Sequence, residues 1–160
     1  MGKYKRVREK FTVGDGLDIT EIEDLRDEMQ GWVDNMSGTA LENTSRYQMA
    51  SDAADQLSRV DDIQFDEIWD AVNAAEGLTE DLKNLEYEVG IFKVKSRRQY
   101  PSRAYRLSNT ISIINGAIER LREFLEPYGE DEVEEVRRTI DEVESVVQEL
   151  DGVEFPGMYG

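Results

Sequence analysis

The fold is decided by residues 104–125, which read AYRLSNTISIINGAIERLREFL. Apolar residues recur in this stretch at alternating steps of three and four, which is the spacing of a heptad seam on an α-helix. The seam consists of Ala104, Leu107, Ile111, Ile114, Ile118, Leu121 and Leu125. This pattern predicts one long helix with a continuous apolar face.

A second seam with the same spacing follows directly. It consists of Val133, Val136, Ile140, Val143, Val147 and Leu150. The intervening Glu126-Pro127-Tyr128-Gly129 is a typical helix stop. Because two long amphipathic helices with a short link fold back on each other, we expect an antiparallel hairpin of residues 102–126 and 131–150.

Shorter helical patterns precede the hairpin. The first begins near Asp18, where Thr20 and Glu23 have the spacing of a capping box. A second is expected from Thr39, a third over residues 66–76, and a fourth after the cap residue Thr79. The predicted fold class is therefore all-α, with three or four shorter helices packed on the hairpin.

Two segments outside these helices allow a minor β-ribbon. Residues 87–95 are rich in β-branched and aromatic residues, so either a helix or a strand is open for them. If they form a strand, residues 4–13 are the natural partner. The expected organisation is a basic N-terminal arm over residues 1–16, a helical domain over 17–150 and a tail over 151–160.

The composition restricts the chemistry. The chain of 160 residues has no cysteine and no histidine, which removes the thiolate nucleophile and the commonest general base and metal ligand. It has no apolar run long enough to span a membrane and no signal-peptide pattern. We therefore expect a cytoplasmic protein that does not bind membranes.

Charge is strongly negative and segregated along the chain. The sequence has 36 acids and 19 bases, a net charge of −17. Residues 1–10 and 93–106 are basic, whereas residues 15–88 and 119–154 are acidic. Such a molecule repels nucleic acid over most of its surface and attracts basic proteins. The alternative is that the acidity serves only solubility.

Acidic helix faces suggest mimicry of a nucleic-acid backbone, which would fill the basic groove of a partner protein. The partner-binding residues expected on this basis are Glu21, Asp24, Asp27, Glu28, Glu134, Glu135, Asp141 and Glu142. The simpler interpretation is a solvated helix face.

A basic patch with interleaved tyrosines is typical of single-strand nucleic-acid binding. Its members are Lys93, Lys95, Arg97, Arg98, Arg103 and Arg106. Because the rest of the molecule is negative, we instead expect these cations to neutralise acidic helices of the same chain or of a neighbour.

A magnesium-dependent activity is the alternative from another functional class. Acids spaced three and four apart on two helices resemble the pattern of all-α nucleotide pyrophosphohydrolases of the MazG type, which bind Mg²⁺ through carboxylates. The ligands would be Asp24, Asp27, Glu28, Asp52 and Asp55. No other cofactor is expected.

A third hypothesis is assembly of a virion or scaffold. Segments of opposite net charge suit contacts between copies of the chain, so a homo-oligomer is one expectation.

Two stretches resemble small acidic proteins of unassigned role that tailed bacteriophages encode. They are Met1-Gly2-Lys3-Tyr4-Lys5-Arg6-Val7-Arg8 and Glu28-Met29-Gln30-Gly31-Trp32-Val33-Asp34-Asn35. The resemblance implies an accessory role for a virus in its host cell, including inhibition of host defence, and it implies no catalytic residue.

Overall fold

The two apolar seams lie on the two longest helices of the protein. The structure is a computed structural model that describes residues 2–157. Helix α5 spans Arg103–Leu125 and helix α6 spans Glu130–Leu150, as the seam spacing predicted. Every seam residue is buried except Ala104, which is exposed because it lies in the first turn of α5.

Four further helices, two 3₁₀ turns and two strands precede α5. The helices are α1 (Val13–Gly16), α2 (Thr20–Met36), α3 (Ser45–Leu57) and α4 (Phe65–Ala74). The 3₁₀ turns are Ser58–Asp62 and Glu80–Asn84, and the strands are β1 (Tyr4–Thr12) and β2 (Glu86–Val94).

Several helix starts differ from the prediction. The Thr20–Glu23 capping box is wrong, because the side chain of Asp18 instead accepts hydrogen bonds from the amide and the hydroxyl of Thr20. The second of the shorter helices, α3, begins at Ser45 rather than at Thr39, and Thr44 is its cap. Thr79 is a cap as predicted, but it opens only a 3₁₀ turn.

The fold is mostly helical and contains one two-stranded antiparallel sheet, so the all-α class is correct only in outline. β1 pairs with β2 from Tyr4 opposite Val94 to Thr12 opposite Glu86. The open question about residues 87–95 is thereby resolved in favour of a strand. The described part of the predicted N-terminal arm forms β1 and α1.

Helix α5 holds the sheet through β2. The Asn109 side chain accepts a hydrogen bond from the amide of Phe92 at 2.8 Å and donates one to its carbonyl at 2.7 Å. Arg120 Nε donates to the carbonyl of Glu86 at 3.0 Å. The Tyr87 hydroxyl donates to the carbonyl of Ile113 at 2.7 Å. Side chains of α5 therefore bond the main chain at the outer edge of β2 at two places, Phe92 and Glu86.

The core is shared by the remaining helices. α2 packs on α3, and α6 packs on α4 and on the Ser58–Asp62 turn. Ile22 and Leu25 of α2 and Ile118 of α5 are completely buried within one continuous apolar cluster. In the predicted tail, Val153 and Pro156 are buried, and its last three residues lie outside the described part.

Candidate interaction surfaces

An ion-pair network joins α2 to the start of α5. Arg106 binds Glu28 with two guanidinium nitrogens, at 3.0 and 2.6 Å, and its Nε donates to Glu21 at 2.6 Å. Arg103 Nε donates to the same Glu28 carboxylate at 2.9 Å. Two residues of the predicted acidic surface and two of the predicted basic patch thus contact one another within the chain.

This network changes the acid–base properties of its members. Hydrogen bonds from Arg106, more than the opposing effect of burial, lower the pKa of Glu28. The hydrogen bond to Glu28 likewise raises the pKa of Arg106. Both groups are therefore charged at neutral pH, and they offer little net charge to a partner.

An open groove lies next to this network. Trp32 has the guanidinium of Arg103 5.1 Å and that of Arg46 5.8 Å from its ring centre. The groove has a volume of about 570 Å³, and Leu41 on its wall is 54% exposed. It is an apolar surface with cations at its border.

The other proposed magnesium ligands are exposed on α2 and α3. Asp24, Asp27, Asp52 and Asp55 face solvent, and Asp52 accepts a hydrogen bond from Gln48 at 2.9 Å. Within residues 2–157, no group of three or more carboxylates is arranged to hold a metal ion. The magnesium alternative remains a prediction from spacing.

Helix α6 carries a row of exposed acids, called here the acidic stripe. Its members are the predicted residues Glu134, Glu135, Asp141 and Glu142. Within the stripe, Arg138 binds Glu135 and Glu142, which lowers the pKa of Glu135. Asp141 accepts a hydrogen bond from Arg122 of α5 at 2.7 Å. Cations therefore touch three of the four acids, while Glu134 has no ion pair with any of residues 2–157.

Helix α4 extends the acidic surface beside the stripe. Asp66, Glu67 and Asp70 are all exposed on α4, which packs against α6. The hydrogen bond to Glu135 does most to raise the pKa of Arg138, and Glu67 lies close enough to add a smaller contribution. The sequence prediction did not include the α4 acids, because only the packing of α4 on α6 brings them to this surface.

The sheet gathers a second, cationic surface, called here the basic end. It consists of Lys3, Lys5, Lys93, Lys95, Arg97 and Arg98. The strand register places Lys5 opposite Lys93, and the Lys95 amide donates to the Lys3 carbonyl at 2.8 Å. The sequence predicts Lys93, Lys95, Arg97 and Arg98 as part of a basic patch. It does not predict Lys3 and Lys5, which join this surface because β1 pairs with β2.

Most of the basic end is not neutralised. Lys93 binds Glu9. No carboxylate of residues 2–157 lies within 4.0 Å of Lys95, Arg97 or Arg98. The Tyr100 side chain in the same loop is 93% exposed. Arg103 and Arg106, which were predicted as part of this patch, are instead held by α2.

No helix within residues 2–157 is long and apolar enough to cross a membrane. Comparisons with family models, with curated proteins and with solved structures found no match to this chain.

Proposed function

We propose that the protein is a non-enzymatic accessory that binds a basic protein surface through the acidic stripe of α6. The observation that carries this proposal is the exposure of all four stripe acids on one face of a helix whose opposite face is buried. Glu134 and Asp141 are seven residues apart, as are Glu135 and Glu142, so the stripe consists of two pairs of acids about 10 Å apart along the helix axis. A basic groove that normally holds a nucleic-acid backbone would meet these two clusters of negative charge.

The helix under the stripe is well supported. Val136, Ile140, Val143 and Val147 are each at most 4% exposed. We propose that α5 and α6 form the antiparallel hairpin expected from their seams. Contacts of Arg122 with Asp141 and Glu144, and of Arg137 with the carbonyl of Leu125, support that arrangement. A stripe held in this way loses little conformational entropy on binding.

Charge determines which partners approach. With a net charge of −17, the chain repels nucleic acid and accelerates encounter with basic proteins, and both effects weaken with salt. The resemblance to small acidic phage proteins favours a viral accessory that acts in the cytoplasm of the host. Its target would be a defence protein or another protein that handles nucleic acid.

The test compares two variants with equal changes in charge. The stripe variant carries Glu134→Gln, Glu135→Gln, Asp141→Asn and Glu142→Gln. The control carries Asp55→Asn, Glu76→Gln, Asp151→Asn and Glu154→Gln, which are exposed acids outside the stripe. Each variant and the unmodified chain are used for affinity capture from host cells, followed by mass spectrometry at rising salt.

We expect a partner that the unmodified chain and the control retain, that the stripe variant loses, and that raised salt releases. Equal retention by both variants would show that the stripe does not form the interface. Equal loss from both would show that total charge, rather than the stripe, attracts the captured proteins.

A further inference from the structure

Within the described part of the chain, one edge of the sheet is not paired with a further strand. Helix α5 packs against β2, and its Asn109 and Arg120 bond the outer main chain of β2 at Phe92 and Glu86. β1 is the other edge of this two-stranded sheet, and no strand within residues 2–157 pairs with its outer side. An uncovered edge strand is a template for adding another strand.

The register identifies the main-chain groups at this edge. Phe92 uses both its amide and its carbonyl for Asn109, so its partner Arg6 must turn its own amide and carbonyl away from β2. By alternation, Arg8 and Lys10 do the same. Within residues 2–157, no residue outside the sheet makes a hydrogen bond to the main chain of these three residues.

The side chains along β1 indicate which kind of strand would fit beside its outer edge. Arg6, Arg8 and Lys10 are exposed and share one face of β1. On the other side of the same strand, β2 already supplies carboxylates to this row. Glu86 lies 3.3 Å from Lys10, and Glu88 lies 3.8 Å from Arg8.

We propose that the outer edge of β1 binds an extended acidic segment of a partner protein by antiparallel strand addition, with carboxylates at alternate positions beside Arg6, Arg8 and Lys10. The main chain of the segment would satisfy the outward amides and carbonyls of these residues. Its acids would face the row of cations from the side opposite β2.

Charge decides against a second copy of the chain at this edge. Pairing of β1 with another β1 would place cations beside cations, and like charges on neighbouring strands are destabilising. The inference is independent of the proposed function, since it concerns another surface and a partner of opposite charge.

The test uses two synthetic peptides of about ten residues that alternate glutamate and valine. The first, valine-methylated peptide carries N-methyl groups on the amides of its valines. The second, glutamate-methylated peptide carries them on the amides of its glutamates. In antiparallel addition, the residues opposite Arg6, Arg8 and Lys10 direct their amides at β1, and these residues are the glutamates. Binding to the full chain is measured by fluorescence anisotropy.

We expect the valine-methylated peptide to bind and the glutamate-methylated peptide to bind at least about tenfold more weakly. Arg8→Glu should weaken binding of the first peptide by a similar factor. Arg98→Glu, an equal change of charge outside the strand, should change it by less than about threefold.

Three outcomes would overturn the proposal. Absence of binding by the valine-methylated peptide would show that the edge accepts no strand. Equal binding of the two peptides, or equal effects of the two substitutions, would show attraction by charge without main-chain pairing. Binding of single-stranded oligothymidylate as tight as that of the first peptide would identify a general polyanion surface.

Discussion

Replacement of Gly116 by alanine tests how the sheet is held on α5. At an open helix position, this change stabilises a protein by about 0.5–1 kcal/mol, because alanine loses less backbone entropy. Here, however, a Cβ at Gly116 would lie 2.6 Å from Cε2 and 2.9 Å from Cδ2 of Tyr87. The ring cannot move back freely, since its hydroxyl donates to the carbonyl of Ile113 at 2.7 Å.

The expected result is a net loss of stability. Overpacking of this kind costs about 1–3 kcal/mol, which exceeds the gain in helix propensity. After subtraction of that gain, we expect Gly116→Ala to lower the free energy of unfolding by up to about 2 kcal/mol. In a Tyr87→Ala background, the same substitution should stabilise, because the ring that it would meet is absent.

Gly31 of α2 provides the matched control. A Cβ built at Gly31 meets no atom within 4 Å, so Gly31→Ala should stabilise by about 0.5–1 kcal/mol. Both variants are compared by urea unfolding followed by circular dichroism, with a check that the m-value is unchanged. If Gly116→Ala stabilises as much as Gly31→Ala does, Tyr87 does not lie against α5, and the anchoring of the sheet is wrong.

Three further predictions concern charge and the sheet. Because the pKa of Glu28 is lowered in the folded state, the carboxylate stabilises the fold fully above the unfolded-state pKa of about 4.3, and this stabilisation is lost as pH falls through the folded-state pKa. Glu28→Gln should therefore lower the free energy of unfolding by about 1 kcal/mol at pH 7 and by little near pH 2, which urea unfolding at the two pH values measures. Asn109→Leu should cost about 1–3 kcal/mol and speed hydrogen exchange of the Phe92 amide, whereas unchanged exchange would contradict the hydrogen bond from that amide to Asn109. Because acids outnumber bases 36 to 19, Tm should rise with NaCl as repulsion is screened, and a falling Tm would mean that ion pairs dominate.

The long helices could be predicted because their signal is both local and repeated. The seam residues from Leu107 to Leu125 and from Val133 to Leu150 are all buried, as the spacing requires. The predicted start of α3 at Thr39 is wrong because the spacing of Thr39 and Glu42 also fits a helix cap. In the structure, Thr39 donates to the carbonyl of Met36 and Glu42 accepts from the amide of Gly38, so their side chains stabilise a turn instead.

The interaction surfaces were less predictable because they depend on contacts far apart in sequence. Arg106 and Glu21 are separated by 85 residues, and Arg106 and Glu28 by 78. The sequence supplies the charges of these groups but not their pairing. Lys3 and Lys5 join Lys93 and Lys95 only through the register of β1 with β2, which a composition cannot specify.

The acids of α2 are paired with arginines more completely than the acids of α6, so α6 offers the stronger negative surface to a charged partner. On α2, Glu21 and Glu28 each bind arginines of α5, so this helix contributes less field than its sequence suggests. On α6, Arg138 is shared by Glu135 and Glu142, while Glu134 and the neighbouring acids of α4 face solvent. Glu130, Asp131 and Glu132 precede Val133, where the backbone is not helical, so the unbroken helix that carries the stripe consists of residues 134–150. The stripe thus retains a net negative field on a supported helix, and this is the property that binding to a basic groove requires.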